Sequence, residues 1–308
     1  MTRGRFVVAL TAVGLLTTLT PAAAQDAAKA EIRQAIDAAY LNAVYNGIDV
    51  KAYLAGWDHG AIRPYLVPAF GGRADAATGE LTYGGVMEVH AAIVNQKPPE
   101  KKEYKFLYPA IDVTGDMGLA QVEVVRGEKM WSTEYIPVIK TRTGWKIVGY
   151  PAYVHRNGVR PDTPAGEADA VKKVVEDTLV RGVMQDGTYE QARAGIAPVC
   201  DVSLYLPEID VVTKLDIARA FLAKSEGAKP VPIKTSAFTL IGITGSVAAG
   251  KLAVTLDSGT VMTMYVALYK IKTGWAIVQI ATDRDLLTAL FPPPPLPPPP
   301  PPPRKHLQ

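Results

Sequence analysis

Apolar residues between positions 27 and 46 fall at Ile32, Ile36, Ala39, Tyr40, Ala43 and Val44. That three-four spacing predicts an amphipathic helix, which Asn46-Gly47 stops. Val171, Val174, Val175, Leu179 and Val183 repeat the pattern ahead of Asp186-Gly187. A shorter helix is expected after each, over residues 50–57 and 189–194, leading into strand-like segments at Tyr65-Leu66-Val67 and Tyr205-Leu206. Turn residues follow, Gly71-Gly72 in one place and Pro207-Glu208 in the other, and a third helix is expected over residues 86–94 and 216–223. The period then drops to two. Strands are predicted over 110–113 through 119–125, over 133–140 and over 145–150, with counterparts ending at residue 280.

The two patterns are copies. Thr143-Gly144-Trp145-Lys146-Ile147-Val148 returns as Thr273-Gly274-Trp275-Ala276-Ile277-Val278, 130 residues later. The offset holds without a gap back to Thr114-Gly115 and Thr244-Gly245, with Val124/Val254, Thr133/Thr263, Tyr135/Tyr265 and Lys140/Lys270 matching between. One fold unit has been duplicated. Thr143-Gly144 and Thr273-Gly274 fall at the hairpin between the last two strands, where glycine permits positive φ.

Helices followed by a run of antiparallel strands is an α+β order. The late strands are apolar on both faces. Ile136 and Val138 alternate with Tyr135 and Ile139, and Met262, Met264, Val266 and Leu268 with Tyr265, Ala267 and Tyr269. Sheets patterned in this way are covered on both sides. Helices are therefore expected on one face, and the other face of copy one is expected to pack against copy two.

Charge and composition narrow the setting. Arg3 and Arg5 precede an apolar stretch from Phe6 to Leu16, and Ala22-Ala23-Ala24 precedes Gln25. This is the order of a secretory signal cleaved after Ala24, so a periplasmic or secreted protein is expected. The stretch is short for a bilayer span. Loss of the two arginines lowers the formal charge from +3 to +1, which gives no electrostatic case for nucleic acid or anionic lipid. Cys200 is the only cysteine, and His59, His90, His155 and His306 show no ligand spacing, so neither a disulfide nor a metal or cofactor is expected. The expected organisation is a signal over 1–24, a first domain over 25–156, a linker over 157–166, a second domain over 167–291 and a proline tail over 292–308.

The long helix ending in Asn-Gly or Asp-Gly, the segment Gly56-Trp57-Asp58-His59-Gly60-Ala61 and the closing Gly-Trp-Lys-Ile-Val resemble the nuclear transport factor 2-like superfamily. Within it the chain is most similar to exported lumazine-binding-type proteins of ketosteroid isomerase-like fold. The likeness spans residues 27–152 and 167–282. It implies two tandem cone-shaped domains, each a curved, mostly antiparallel sheet with about three helices on one face, packed as an intrachain pseudo-dimer. The superfamily hosts isomerases, dehydratases, hydrolases and proteins without catalysis, so the resemblance does not select a reaction.

If the resemblance extends to ketosteroid isomerases, Tyr40 falls where those enzymes keep an oxyanion-binding tyrosine. Their general base would fall near Tyr65 and their second acid near Pro137, and neither residue can do that work. Asp58-His59 is the remaining acid-base pair of interest, and catalysis through Asp58, His59 and Tyr40 as an isomerase, dehydratase or hydrolase is the alternative reading. The main expectation is a non-catalytic pocket in the first domain for a small apolar or aromatic molecule, lined by Tyr40, Trp57, Tyr65, Tyr83, Trp131 and Tyr135. A longer glycine-rich loop from Gly71 to Gly79 could close over it. Pro292–Pro295 and Pro297–Pro303 should form a stiff polyproline II rod, which suits a spacer or a segment that recruits a polyproline-binding partner.

Overall fold

A computed structural model describes residues 21–47, 49–67, 80–85, 103–155, 157–185, 187–215 and 230–283. Helix α1 (Pro21–Ile36) begins with proline, whose missing N–H costs nothing in a first turn. It continues as a wider π-helical segment, Asp37–Tyr45, which Asn46 closes by donating from its backbone N–H to Leu41 O. The expected cleavage point after Ala24 lies inside the first turns of α1. Helix α2 (Val50–Gly56) is capped by the Asp49 carboxylate, which accepts from Ala52 N at 2.9 Å. The second half repeats this with α3 (Glu167–Val175), a π-helical segment Glu176–Met184 and α4 (Tyr189–Ala194), the last opened by a Thr188/Gln191 capping box. The third helices, the glycine-rich loop, residues 1–20 of the signal and the proline tail lie outside the described residues.

Each half builds its own mixed sheet. The first comprises β1 (Trp57–Val67), β2 (Glu80–Gly85), β3 (Tyr104–Thr114), β4 (Met117–Arg126), β5 (Lys129–Thr141), β6 (Gly144–Gly149) and β7 (Ala152–Val154), in the order β2-β1-β6-β5-β4-β3 with β7 on β5. The second comprises β8 (Ile196–Leu206), β9 (Val211–Leu215), β10 (Ile233–Thr244), β11 (Val247–Leu256), β12 (Val261–Ile271) and β13 (Gly274–Thr282), in the order β10-β11-β12-β13-β8-β9. The orders are the same read from opposite edges. All neighbours are antiparallel except β1 with β6 and β8 with β13. Trp57 pairs with Ile147 and Ile196 with Ile277. Tyr65 therefore answers to Leu204, one residue short of the Tyr205 expected from sequence, and Asp58-His59 to Ala197-Pro198.

The expected hairpin glycines are in place, Gly144 at φ +111° and Gly274 at φ +117°. Where β13 runs unbroken, the first half has β6 and β7 separated by Tyr150-Pro151, and Pro151 O accepts from Tyr135 N at 2.8 Å.

Three cores follow from strand alternation. Ala120, Val122, Val124, Ile136, Val138 and Ile147 face α1 and α2, while Leu252, Val254, Met262, Met264, Val266 and Leu268 face α3 and its π-helical extension. The alternate residues, among them Leu119, Tyr135, Ile139, Tyr265, Ala267 and Tyr269, form a third core between the two sheets. Both faces of each sheet are thus covered, as the double apolar pattern requires.

The interface is reciprocal. Tyr135 Oη meets Thr244 Oγ1 at 3.2 Å, and Tyr265 Oη meets Thr114 Oγ1 at 3.3 Å, each pair being the other shifted by one repeat. Such exchange of partners is the mark of a twofold contact, here an approximate one within a single chain. Asymmetry enters at Asp112, which accepts from Tyr265 Oη at 2.5 Å and pairs with Lys251 Nζ at 2.7 Å. Its equivalent in the second half is Gly242.

Candidate functional site

The interior of the first half is an aromatic cluster around Tyr40. Its ring centroid lies 5.2 Å from Tyr45, 5.4 Å from Trp57, 5.5 Å from Phe106 and 5.3 Å from Tyr150, at steep interplanar angles. Edge-to-face packing of this kind adds to plain burial. Trp57 Nε1 donates to Ala39 O at 3.3 Å, which ties the start of β1 to the π-helical segment. A Cβ on Gly56 would fall 2.1 Å from that of Ala39, so glycine is what allows α2 to approach so closely.

One carboxylate reaches into this apolar space. Glu134, on β5 and 1% exposed, accepts at Oε1 from Ser132 Oγ at 2.8 Å and from Tyr45 Oη at 3.1 Å. Tyr45 Oη in turn lies 3.3 Å from Tyr40 Oη. A hydroxyl chain thus runs from helix to carboxylate. At its flank Tyr108 donates to Asp37 Oδ1 at 2.7 Å, and Arg33 lies 5.1 Å from the Tyr108 ring centroid. Burial, then the hydrogen bond to Asp37, pushes the Tyr108 phenol well above its ordinary range. Buried acceptors held by hydroxyl donors can fix the polar end of a ligand or exchange a proton with it.

The second half is an internal control. The ungapped offset places Met264 where Glu134 stands and Met262 where Ser132 stands, and both methionines are fully buried. Polar chemistry in one half has become core in the other. That pair of replacements is readable from the repeat, whereas the isomerase resemblance points to Pro137, three positions along the same strand, and passes over Glu134.

Of the expected pocket residues, Tyr40 and Trp57 come together. Tyr65 and Tyr83 lie on paired strands, Tyr65 opposite Thr82 and Tyr83 opposite Pro64, and their side chains lie outside the description. Tyr135 is elsewhere. One step from Glu134, alternation turns it to the other sheet face, where it is fully buried between the sheets and its phenol is pushed up to about 12 by burial. Trp131 is also outside the interior, 40% exposed at the β4–β5 hairpin. Asp58 is half-buried at the start of β1, where the ladder to β6 is irregular between Trp57 and Ile62. The His59 side chain lies outside the description.

Among the described residues no cluster of three or more His, Cys, Asp or Glu could hold a metal, and no helix is long and apolar enough to cross a membrane. Cys200 packs against the second core, and burial raises its thiol pKa.

No family model matches the chain, and no curated protein does. Solved structures similar to it include three NTF2-like proteins of unknown function. That from Methylobacillus flagellatus KT is 18% identical over 40% of this chain and 94% of its own, with a TM-score of 0.33. That from Shewanella baltica OS155 is 20% identical over 40% and 96%, with a TM-score of 0.34. That from Silicibacter pomeroyi DSS-3 is 17% identical over 41% and 94%, with a TM-score of 0.32.

Proposed function

We propose that the first half binds a small, mostly apolar or aromatic molecule in its interior, oriented by the Glu134 carboxylate and the Tyr45 and Ser132 hydroxyls. The observation that carries this is Glu134 in an aromatic interior, set against Met264 in the other half. A fold that closes equally well around methionine has no structural need of the carboxylate.

A second reading, proton transfer as in an isomerase or dehydratase, is favoured by the same chain of groups. Glu134 would serve as base or acid, and Tyr45, backed by Tyr40, as its hydroxyl partner. Asp58 and His59 are then dispensable.

We infer a place outside the cytoplasm from the charged, apolar, small-residue order of residues 1–24. Recovery from a periplasmic fraction with Gln25 as the amino terminus would support that, and an intact Met1 there would count against it. The proline run is assigned to spacing or partner recruitment, and pull-downs with and without residues 292–308 test it by a change in captured partners.

Mass spectrometry of the protein from its own host, native against denaturing, tests the binding reading. A small molecule released on denaturation, and absent from Glu134→Met, is expected. A bare mass in both forms sinks stable binding. Turnover of the released molecule by wild type but not by Glu134→Gln would move the assignment to the enzyme reading.

A further inference from the structure

A second site lies at the tip of the β4–β5 hairpin and shares no lining residue with the aromatic interior. Arg126, Lys129, Met130, Trp131, His155, Asn157 and Gly158 line a half-open cleft of about 430 Å³. That volume is in the range of small-molecule sites. The described lining contains two cations, one exposed indole and an amide, and no carboxylate. Arg126 is held between two rings, 5.8 Å from the Tyr104 centroid and 5.7 Å from that of Trp131.

The wall behind is fixed. Backbone N–H of His155 donates to Trp131 O at 2.9 Å, its Nε2 meets Thr133 Oγ1 at 2.8 Å, and its Nδ1 meets Val159 O at 3.1 Å. Both ring nitrogens are therefore engaged in holding the segment after β7 against β5. Gly158, at φ +71°, lets the Lys129 stem lie close: a Cβ there would sit 3.3 Å from that of Lys129. The lysine is thereby laid along the rim.

The repeat again supplies the control. At the ungapped offset the second hairpin carries Leu256 for Arg126, Gly259 for Lys129, Thr260 for Met130 and Val261 for Trp131. It too forms an antiparallel ladder, Val254 with Met262 answering to Val124 with Ser132, though beyond that pair Thr255 meets Val261 where Val125 meets Met130. The cations and the indole are thus not required to make the hairpin. We propose that this cleft binds an aromatic carboxylate, its ring against the exposed part of Trp131 and its anionic group between Arg126 and Lys129. Arg126 and Lys129 supply the charge, and the indole supplies a flat surface that an inorganic anion cannot use. The site is independent of the interior reading.

Calorimetric titration of the full chain with naphthalene-2-carboxylate, its neutral carboxamide and inorganic phosphate tests the assignment. One carboxylate per chain is expected, bound more tightly than the carboxamide or phosphate and accompanied by a change in Trp131 emission. Trp131→Val, which installs the residue the second hairpin already uses, and Lys129→Gln at the surface should each weaken binding about fivefold or more. Glu134→Gln should leave it unchanged. A carboxylate affinity untouched by the two hairpin variants, or lowered only by Glu134→Gln, overturns the proposal by moving the molecule to the interior. Phosphate or carboxamide binding as tightly as the carboxylate also overturns it, as does no carboxylate binding at millimolar concentration.

Discussion

A carboxylate enclosed as Glu134 is gives up several kcal/mol of hydration, which its hydrogen bonds offset in part. Replacement by a side chain of similar shape without charge relieves that cost. Glu134→Met should therefore change unfolding free energy by no more than about 1.5 kcal/mol in either direction, while abolishing retention of the bound molecule. Urea denaturation checks the first part, and a loss above about 3 kcal/mol would make the carboxylate a structural group.

Glu31 accepts from Lys140 Nζ at 2.8 Å and Trp145 Nε1 at 3.1 Å, and these bonds, the lysine's first, hold its carboxyl below the ordinary 4.5. Glu167 is lowered by the equivalent donors Lys270 and Trp275. A lowered carboxylate contributes stability above its unfolded value and loses it as pH falls through the folded one. Burial lowers the His155 pKa from 6.5, so the unfolded chain takes up that proton first and stability falls between 6.5 and the lowered value. Acid unfolding should show a shallow limb below pH 6.5, absent in His155→Asn, and a further one below 4.5, reduced in the double variant Glu31→Gln/Glu167→Gln. Melting temperatures across pH 3–8 decide it, and an unchanged limb in either variant refutes that attribution.

At the scale of elements, the Lys-Trp-Glu clasp does the same work twice, tying α1 to β5 and β6 and α3 to β12 and β13. Lys140/Lys270 and Trp145/Trp275 were legible at the repeat spacing, but the glutamates were not, because they sit on helices that do not keep that spacing. Strand alternation told the opposite story. The sequence already grouped Tyr135 with Ile139 and against Ile136, so its place between the sheets was readable, whereas its assignment to the pocket rested on residue type alone. The helix positions, the hairpin glycines and the two-faced sheets were legible because periodicity reports burial directly. The π-helical stretches and the Tyr150-Pro151 break were not, since both arise from tertiary packing.

Sheet meets sheet closely where Gly149 faces Gln279. A Cβ on Gly149 would fall 1.7 Å from Gln279 Nε2, and that amide is pinned by Val148 O at 2.9 Å and Asp201 Oδ2 at 3.3 Å. Gly149→Ala should lower stability by about 1–3 kcal/mol through overpacking. Gln279→Ala should relieve much of that loss in the double variant, the mark of direct coupling. Additive losses in the double-mutant cycle would mean that the strain lies elsewhere.

For the molecule as a whole, the third core makes each half dependent on the other. Expressed alone, residues 25–156 would expose Leu119, Tyr135 and Ile139, and residues 157–291 would expose Tyr265, Ala267 and Tyr269. Separate halves should aggregate or unfold, and co-expression should recover a one-to-one complex by sedimentation. Two stable monomers would show that the inter-sheet core adds little.

Gly149 and Gln279 occupy the same position in the two copies, so each faces its own counterpart across the approximate twofold. Two first halves would meet there glycine to glycine and leave a void. Two second halves would set one amide against another where there is room for a single side chain. The complementarity exists only between unlike copies, and it links their inheritance. At this contact a change on one side calls for a matching change on the other. At this contact the two copies have therefore ceased to be interchangeable.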